Sequence, residues 1–405
     1  MAGLKDKLRK LKGQEGVKID PVPPAQNPDM ARQLRRLRPI APQQTGDGVA
    51  LEDEQALADF LGGELVAPGL ILIRWHTPLD QCHGRYPLQR LMSVIPPIVG
   101  GGLDNPETCA WIDTETTGLA GGTGTTAFQI GLLRLWNGTL HGRQWLLSGY
   151  AGEAEMLQQF HQALEGVTQL VSFNGKSFDV PLLLTRFKLH GMVDSLSHLS
   201  HLDLLHPFRR IFGGVLPDCR LQRGEQHLLG LFREDDLPGS EAPLAWQAWL
   251  RGKRGERLAG VLKHNQDDLL SLTLLPILLA EGFATCAHGA YPHAVAKAWI
   301  EADDEPRAIE ILESQIKQLD GDGLQRLGWL YRRAGRWTQA VIVWNMAARK
   351  GHVPAMEDLA KYHEHQDKDL AQAWIWAQRL QQRTGRTPEI KKRINRLRKK
   401  RGEEW

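Results

Sequence analysis

Asp113 and Glu115 stand two residues apart in the run Trp111-Ile112-Asp113-Thr114-Glu115-Thr116-Thr117-Gly118. On a strand both side chains leave the same face, while Ile112 and Thr114 point the other way. Two carboxylates converging on one side repel unless a cation lies between them. Further on, Phe173-Asn174-Gly175-Lys176-Ser177-Phe178-Asp179 carries a third carboxylate. A fourth lies in His264-Asn265-Gln266-Asp267-Asp268-Leu269-Leu270-Ser271-Leu272, with His264 one helical turn before Asp268. Oxygen ligands such as Asp113, Glu115, Asp179 and Asp268 suit two hard divalent cations, Mg²⁺ or Mn²⁺. A pair of such ions clamps the attacking and the leaving oxygen of an in-line displacement at a phosphodiester. Each motif alone has a plainer reading: an acidic strand face, a helix N-cap at Asp179, and a solvated His264–Asp268 pair.

The elements that must position these residues read as α/β from about 105 to 285. Cys109 to Asp113 is a short apolar run ending at acidic residues, as a strand would. Phe128–Trp136, Gln144–Leu147 and Leu170–Phe173 are further strand candidates, and Met156–Leu164 and Pro181–Leu189 are helix candidates. Asp267–Leu279 reads as a long apolar helix interrupted by Pro276. Hairpin-like strands followed by alternating helix and strand imply a mixed sheet with flanking helices. Upstream, Gly69–Trp75 reads as a strand inside an N-terminal extension, residues 51–104, packed on that core. Residues 1–50 open with a short basic amphipathic stretch (Leu4, Leu8 and Leu11 among lysines and arginines) and continue rich in Pro, Gln, Gly and Arg. They read as a partly disordered lead-in.

From 286 to 388 the text becomes helical and repeats. Trp299, Tyr331 and Tyr362 are spaced by 32 and 31 residues, each followed nine residues later by Ala308, Ala340 and Ala371, then by Leu312, Trp344 and Ile375. Leu327-Gly328-x-x-Tyr331 matches a segment of the tetratricopeptide pattern, so an all-α tetratricopeptide-like domain is expected. Such surfaces serve protein partners. Residues 389–405 form a basic tail in which Lys391–Arg401 holds eight basic residues in eleven. This is a solvated end or a transient contact for nucleic acid.

Composition narrows the function classes. The chain has 405 residues with a formal charge of only +3, so attraction for a polyanion must come from local patches. Cys82, Cys109, Cys219 and Cys286 form no C-x-x-C pair, which disfavours a zinc ribbon or a disulfide framework. No signal peptide is read at the N-terminus and no apolar run approaches the ~20 residues of a membrane span. A cytoplasmic protein is expected.

The order and spacing of the three acidic motifs resemble those of the DnaQ-like, ribonuclease-H-fold DEDD 3′–5′ exonucleases. The text is closer still to the bacterial YprB-like ribonuclease-H-like family, predicted exonucleases that often carry tetratricopeptide repeats. Gly118-Leu119-Ala120-Gly121-Gly122-Thr123-Gly124-Thr125, His201-Leu202-Asp203-Leu204-Leu205-His206, Cys219-Arg220-Leu221-Gln222-x-x-Glu225, Leu229-Gly230-Leu231-x-Arg233 and Asp236-Leu237-Pro238-Gly239 carry that resemblance, with the His264–Leu272 segment. It implies a two-metal 3′–5′ exonuclease of nucleic acid, DNA or RNA, with single-stranded ends favoured. Asp113 would bridge both ions, Glu115 and Asp268 would complete the site for the ion that activates water, and Asp179 would hold the other. His264 would be the general base, although it stands at the spacing where tyrosine serves in relatives, and Lys263 occupies the usual histidine position. Gly118 and Gly122 would let a strand end pass, Asn174 and Phe178 would order that end, and Asp203 and Asp267 are spare carboxylates. A catalytically idle nucleic-acid- or protein-binding scaffold and a phosphodiesterase of short oligonucleotides remain the alternatives.

Overall fold

A computed structural model describes residues 51–118, 124–234 and 236–402. The basic lead-in and Gly122 lie outside them. Helix α1 (Glu54–Leu61) starts where the Asp53 side chain accepts the Ala56 N–H at 2.9 Å and stops at Gly62, whose φ is 67°. It leads into β1 (Glu64–Ala67) and β2 (Leu70–Pro78), then a small hairpin of β3 (Cys82–His83) and β4 (Tyr86–Pro87). Strands β5 (Cys109–Thr116), β6 (Ala127–Trp136) and β7 (Thr139–Leu147) follow as an antiparallel meander. The β6–β7 turn is Asn137-Gly138, both at positive φ, the conformation that a tight two-residue hairpin demands. Then come α2 (Glu153–Ala163), β8 (Gln169–Ser172), α3 (Asp179–Leu189), β9 (Ser200–Asp203) and α4 (Leu205–Phe212).

The main sheet is mixed, seven strands in the order β1-β2-β7-β6-β5-β8-β9, with β8 and β9 parallel to β5. The N-terminal extension therefore does more than pack on the core. β2 pairs with β7 from Leu70↔Leu147 to Pro78↔Thr139 and continues the sheet.

Helices α5 (Ala242–Gly252) and α6 (Glu256–Thr285) complete this part. Helix α6 runs through Pro276 without a break, contrary to the interruption expected from sequence. Every residue from Leu269 to Ala280 is buried, so packing on all sides offsets the roughly 3 kcal/mol that an interior proline costs. By length and composition α6 could cross a membrane, but 78% of its apolar window is buried in the protein. It is the central core helix, an apolar stretch longer than the sequence reading allowed for.

The remainder is all helical. Three hairpins pair α7 (Pro292–Glu301) with α8 (Glu305–Ser314), α9 (Gly321–Arg333) with α10 (Trp337–Arg349), and α11 (Val353–His365) with α12 (Leu370–Thr384). Gly328 is required between α9 and α10, since a Cβ there would lie 2.2 Å from Trp344 Nε1. Trp299, Ala308, Tyr331 and Ala340 are buried as the repeat predicts, but Ala371 and Ile375 are exposed. Ala373 and Trp376 take the inward places instead. The turn between α11 and α12 is four residues, one longer than in the earlier hairpins, and shifts the register.

The basic tail is a helix, α13 (Pro388–Lys400), which packs Ile394 and Leu397 on Ala373 and Ala377. Much of its charge is already engaged. Arg396 donates to both oxygens of buried Glu364 at 2.5 and 2.7 Å, Lys400 donates at 3.0 Å, and Arg393 stands 3.9 Å away. Arg398 and Arg401 lie over the Trp374 ring. Burial works against ionisation of Glu364, but these cations outweigh it and hold its pKa down to about 2. A carboxylate with a depressed pKa stabilises the fold above its unfolded value, and that contribution is lost as pH falls from about 4 toward about 2. Arg396→Ala is expected to cost roughly 1–2 kcal/mol at low salt and less at high salt, because Arg396 is half-exposed. Urea titrations at two salt concentrations measure it, and no change at either would mean that the pair contributes nothing.

Candidate active site

Asp113 and Glu115 occupy the C-terminal half of β5, opposite Gly131 and Gln129 of β6. The carboxylate of Asp113 accepts at 2.8 Å from Nδ2 of Asn265, a fully buried residue of α6. Oδ1 of Asn265 accepts in turn from Gln144 Nε2 of β7 at 2.9 Å. Gly131 makes this relay possible, because a Cβ there would come 2.1 Å from Asn265 Oδ1. On the other face of β5, Thr114 donates its hydroxyl to Asp179 Oδ1 at 2.5 Å. Asp179 is the first residue of α3, and its side chain serves Thr114 rather than capping the helix.

The loop before Asp179 is shaped by Asp203, one of the two spare carboxylates. Its oxygens accept the N–H groups of Asn174 (2.7 Å), Lys176 (3.1 Å) and Leu205 (3.1 Å). Asn174 sits at φ 72°, a left-handed conformation that asparagine tolerates. At Gly175 a Cβ would come 2.3 Å from Ser172 Oγ and 3.1 Å from Asp179 Oδ2, so only glycine lets the loop close on that carboxylate. The other spare carboxylate, Asp267, pairs with exposed Lys263 at 2.5 Å.

His264 and Asp268 share a face of α6, Nε2 lying 3.7 Å from Asp268 Oδ2. Around them stands a buried ionic group that sequence reasoning did not assign. Arg233, 4% exposed at its side chain, donates to both Glu225 and Asp268. Glu225 also accepts from Ser271 Oγ at 2.5 Å, and Ser271 contacts His83 Nε2 at 2.7 Å. Asp236 Oδ1 lies 2.8 Å from His264 Nδ1 and accepts its proton. Glu225, Arg233 and Asp236 stand in family-like segments of the sequence, but residue type alone carries no sign of their contacts. Asn265, inside the third motif, was missed in the same way.

Asp113, Glu115, Gly118, Asn174, Phe178 and Asp179 line one open recess of about 760 Å³. Phe178 is 50% exposed there. His264 and Asp268 do not line it, but Gly239 does, and a Cβ on Gly239 would sit 3.6 Å from His264 Nε2. The four carboxylates are electrostatic neighbours. Burial, then Asp268, Asp179 and Glu115, push the pKa of Asp113 well above the ordinary carboxylate range, and Asn265 offsets part of this. Burial pushes Glu115 up to about 8, with His264 opposing and Asp268 and Asp179 adding. Burial pushes Asp179 up to about 6 against the Thr114 hydrogen bond. At His264 burial disfavours the charged form, but Asp268 and the bond to Asp236 outweigh it and the pKa is raised.

Among the described residues, no group of three or more His, Cys, Asp or Glu side chains is spaced as a ready ligand set. Asp113, Asp179 and Asp268 are engaged with Asn265, Thr114 and Arg233 respectively. The donor chemistry nevertheless fits hard divalent cations: every donor is a carboxylate oxygen, and burial, with the neighbouring carboxylates adding at Asp113 and Glu115, disfavours ionisation of Asp113, Glu115 and Asp179.

The sequence signature of the ribonuclease H superfamily matches residues 110–280. The chain is similar to the Bacillus subtilis (strain 168) protein YprB, with 33% identity over 316 residues, 73% of this chain and 76% of that protein. It is also similar to the family B DNA polymerase of the hyperthermophilic archaeon Pyrobaculum calidifontis, with a TM-score of 0.32 and 14% identity. That match covers 77% of this chain and 39% of the polymerase, well under half its length. With this relationship to YprB and a ribonuclease-H-like mixed sheet carrying an all-helical region, the chain belongs to the YprB family of the ribonuclease H superfamily.

Proposed function

We propose that the protein is a metal-dependent 3′–5′ exonuclease of the DEDD type that hydrolyses phosphodiester bonds of nucleic acid, with single-stranded ends favoured. The observation that carries this reading is the gathering of Asp113, Glu115, Asp179 and Asp268, from β5, α3 and α6, into one neighbourhood in which the pKa values of the first three are raised. An unused cluster of like charges has no structural benefit. Two divalent cations, Mg²⁺ or Mn²⁺, would supply the positive charge that the transferring phosphoryl group and the attacking water need. Asp113, Glu115, Asp179 and Asp268 would hold them. Asp236 accepts the Nδ1 proton of His264 and fixes the tautomer, which leaves Nε2 free to take a proton from water. Phe178 offers an exposed ring beside the cluster for stacking a terminal base.

A second reading, a nucleic-acid- or protein-binding scaffold without catalysis, draws on one observation: Arg233 engages Asp268. Strands of DNA and RNA, single and double, labelled at either end and incubated with Mg²⁺, Mn²⁺ or EDTA, separate the two. Mononucleotide release from the 3′ end, abolished by EDTA, is expected. No release under any condition would leave the scaffold, and release only from very short strands would favour an oligonucleotide phosphodiesterase.

His264→Ala is expected to lower turnover roughly 10²–10⁴-fold with strand affinity kept. Asp236→Asn should act differently. Asp236 raises the pKa of His264, so its loss moves the acidic limb of the pH–kcat/KM profile to lower pH. A profile unmoved in both variants would leave His264 a packing residue.

A further inference from the structure

We propose that a recess on the helical repeats, lined by Arg349, Lys350, Arg379 and Arg383, binds the phosphodiester backbone of a nucleic-acid strand. The recess holds about 490 Å³ where the C-terminal end of α10 meets the last turns of α12. Arg349 ends α10 and Lys350 follows it, while Arg379 and Arg383, four apart, share a face of α12. Gly351, at φ 83°, turns the chain beside them, and a Cβ there would lie 2.5 Å from Arg383 Nη2. The missing side chain is what lets that guanidinium lie against the turn. Among the described residues, no carboxylate lines the recess.

Several other cations of the same helical region pair with acids. Arg333 meets Glu305 at 2.6 Å, Arg336 meets Glu313 at 2.9 Å, Lys361 meets Glu357 at 2.8 Å, and Arg396 meets Glu364 at 2.5 Å. In the recess the described contacts are of another kind: Lys350 donates to the Leu319 carbonyl at 2.5 Å and Arg379 lies over Trp376. Helix dipoles account for part of the arrangement, since Arg349, Lys350 and Arg383 sit at helix C-terminal ends. They do not account for Arg379, or for four like charges gathered without an acid. All four are exposed. An exposed cation gains at most about 1 kcal/mol from a single anion, so the arrangement favours a ligand that presents several charges together. A strand releases a counterion at each phosphate that is neutralised and does so cooperatively along its length.

The choice of a strand over an acidic protein segment rests on the nuclease reading. Four carboxylates repel a phosphate backbone, so a strand whose end enters their neighbourhood needs cations elsewhere. In the obvious candidate in sequence, Lys391–Arg401, five of the eight cations already contact Glu364 or Trp374.

The test is binding of labelled single-stranded DNA and RNA to the full chain across a salt series in EDTA. Wild type is compared with Arg349→Gln/Arg383→Gln and with a control of equal charge change, Arg251→Gln/Arg254→Gln. The recess variant should lower the slope of log affinity against log salt by about 1.4, at ~0.7 for each phosphate left without its cation. The control should leave it near wild type. Hydrolysis of a dinucleotide should not change in the recess variant. Equal slopes, or a fall no larger than the control's, overturn the proposal. So does poly-glutamate competing as well as a strand of equal length, which would assign the recess to an acidic protein segment, or inorganic phosphate competing at millimolar concentration, which would assign it to a small anion. A chain that hydrolyses nothing yet shows the slope difference keeps the recess and loses the nuclease reading. Hydrolysis with equal slopes does the reverse.

Discussion

Asp113→Ala should lower hydrolysis by roughly 10³-fold or more, the several kcal/mol of charge stabilisation that a complete metal site supplies. The side chain is held by a buried relay from Gln144 through Asn265, so its oxygens cannot be replaced by a neighbour's. The isosteric Asp113→Asn should be as inactive, and it carries a second signature. Acids whose folded pKa is raised keep protons that the unfolded chain releases near pH 4. Their contribution is present below that value and is lost as pH rises through the folded pKa. For Asp179 and Glu115 that window runs from about 4 to about 6 and about 8. In EDTA the wild type should therefore lose stability across it, and Asp113→Asn should lose less, because one repelling charge is gone. Denaturant titrations at pH 5 and pH 8 read this, and turnover reads the other half. Activity within about tenfold of wild type in Asp113→Ala, or full activity in EDTA, would sink the metal assignment.

Arg233→Ala should be the most destabilising single change near the site, by roughly 3–5 kcal/mol. One guanidinium, almost wholly buried, serves Glu225 and Asp268 while lying 3.2 Å from His264 Nδ1. Its removal leaves Glu225, which is fully buried, with Ser271 as its remaining partner. Lysine cannot replace it, since a single ammonium does not span these acceptors. If the loss is that of buried charge rather than of packing, Glu225→Gln/Arg233→Met should recover part of the stability, because the buried Glu225 charge goes with its partner while Asp268 still loses its own. Activity should stay low in that double variant, since Asp268 has lost the group that orients it. Urea midpoints of the single and double variants decide the matter. A single variant within about 0.5 kcal/mol of wild type would show that the ion group carries no stability.

How far the sequence reached is clearest at the acidic motifs. Asp113 and Glu115 lie on one strand face because alternation is a local property of an extended backbone, and Asp268 follows His264 by one turn because helical spacing is local too. The strands β5, β6, β7 and β8, the mixed sheet and the helical C-terminal region were legible for the same reason. The sequence had no local signal for pairings made across long separations. Arg233 meets Asp268 across 35 residues and Asn265 meets Asp113 across 152, so their roles emerge only when α6 lies against the sheet. Ala371 was placed inward by counting from Tyr362, yet α11 runs one residue further past Tyr362 than α9 past Tyr331 and the turn is one residue longer, which together send Ala373 inward instead. The basic run at Lys391–Arg401 reads as a solvated end or a transient nucleic-acid contact because its charge is visible in sequence, whereas the contacts of Arg393, Arg396 and Lys400 with Glu364 are not. Arg349 and Arg383, 34 positions apart, meet only because α10 and α12 pack side by side. Residue type and spacing determine which chemistry is available along each element, and long-range packing decides which of those groups face one another and which are already spent on a partner.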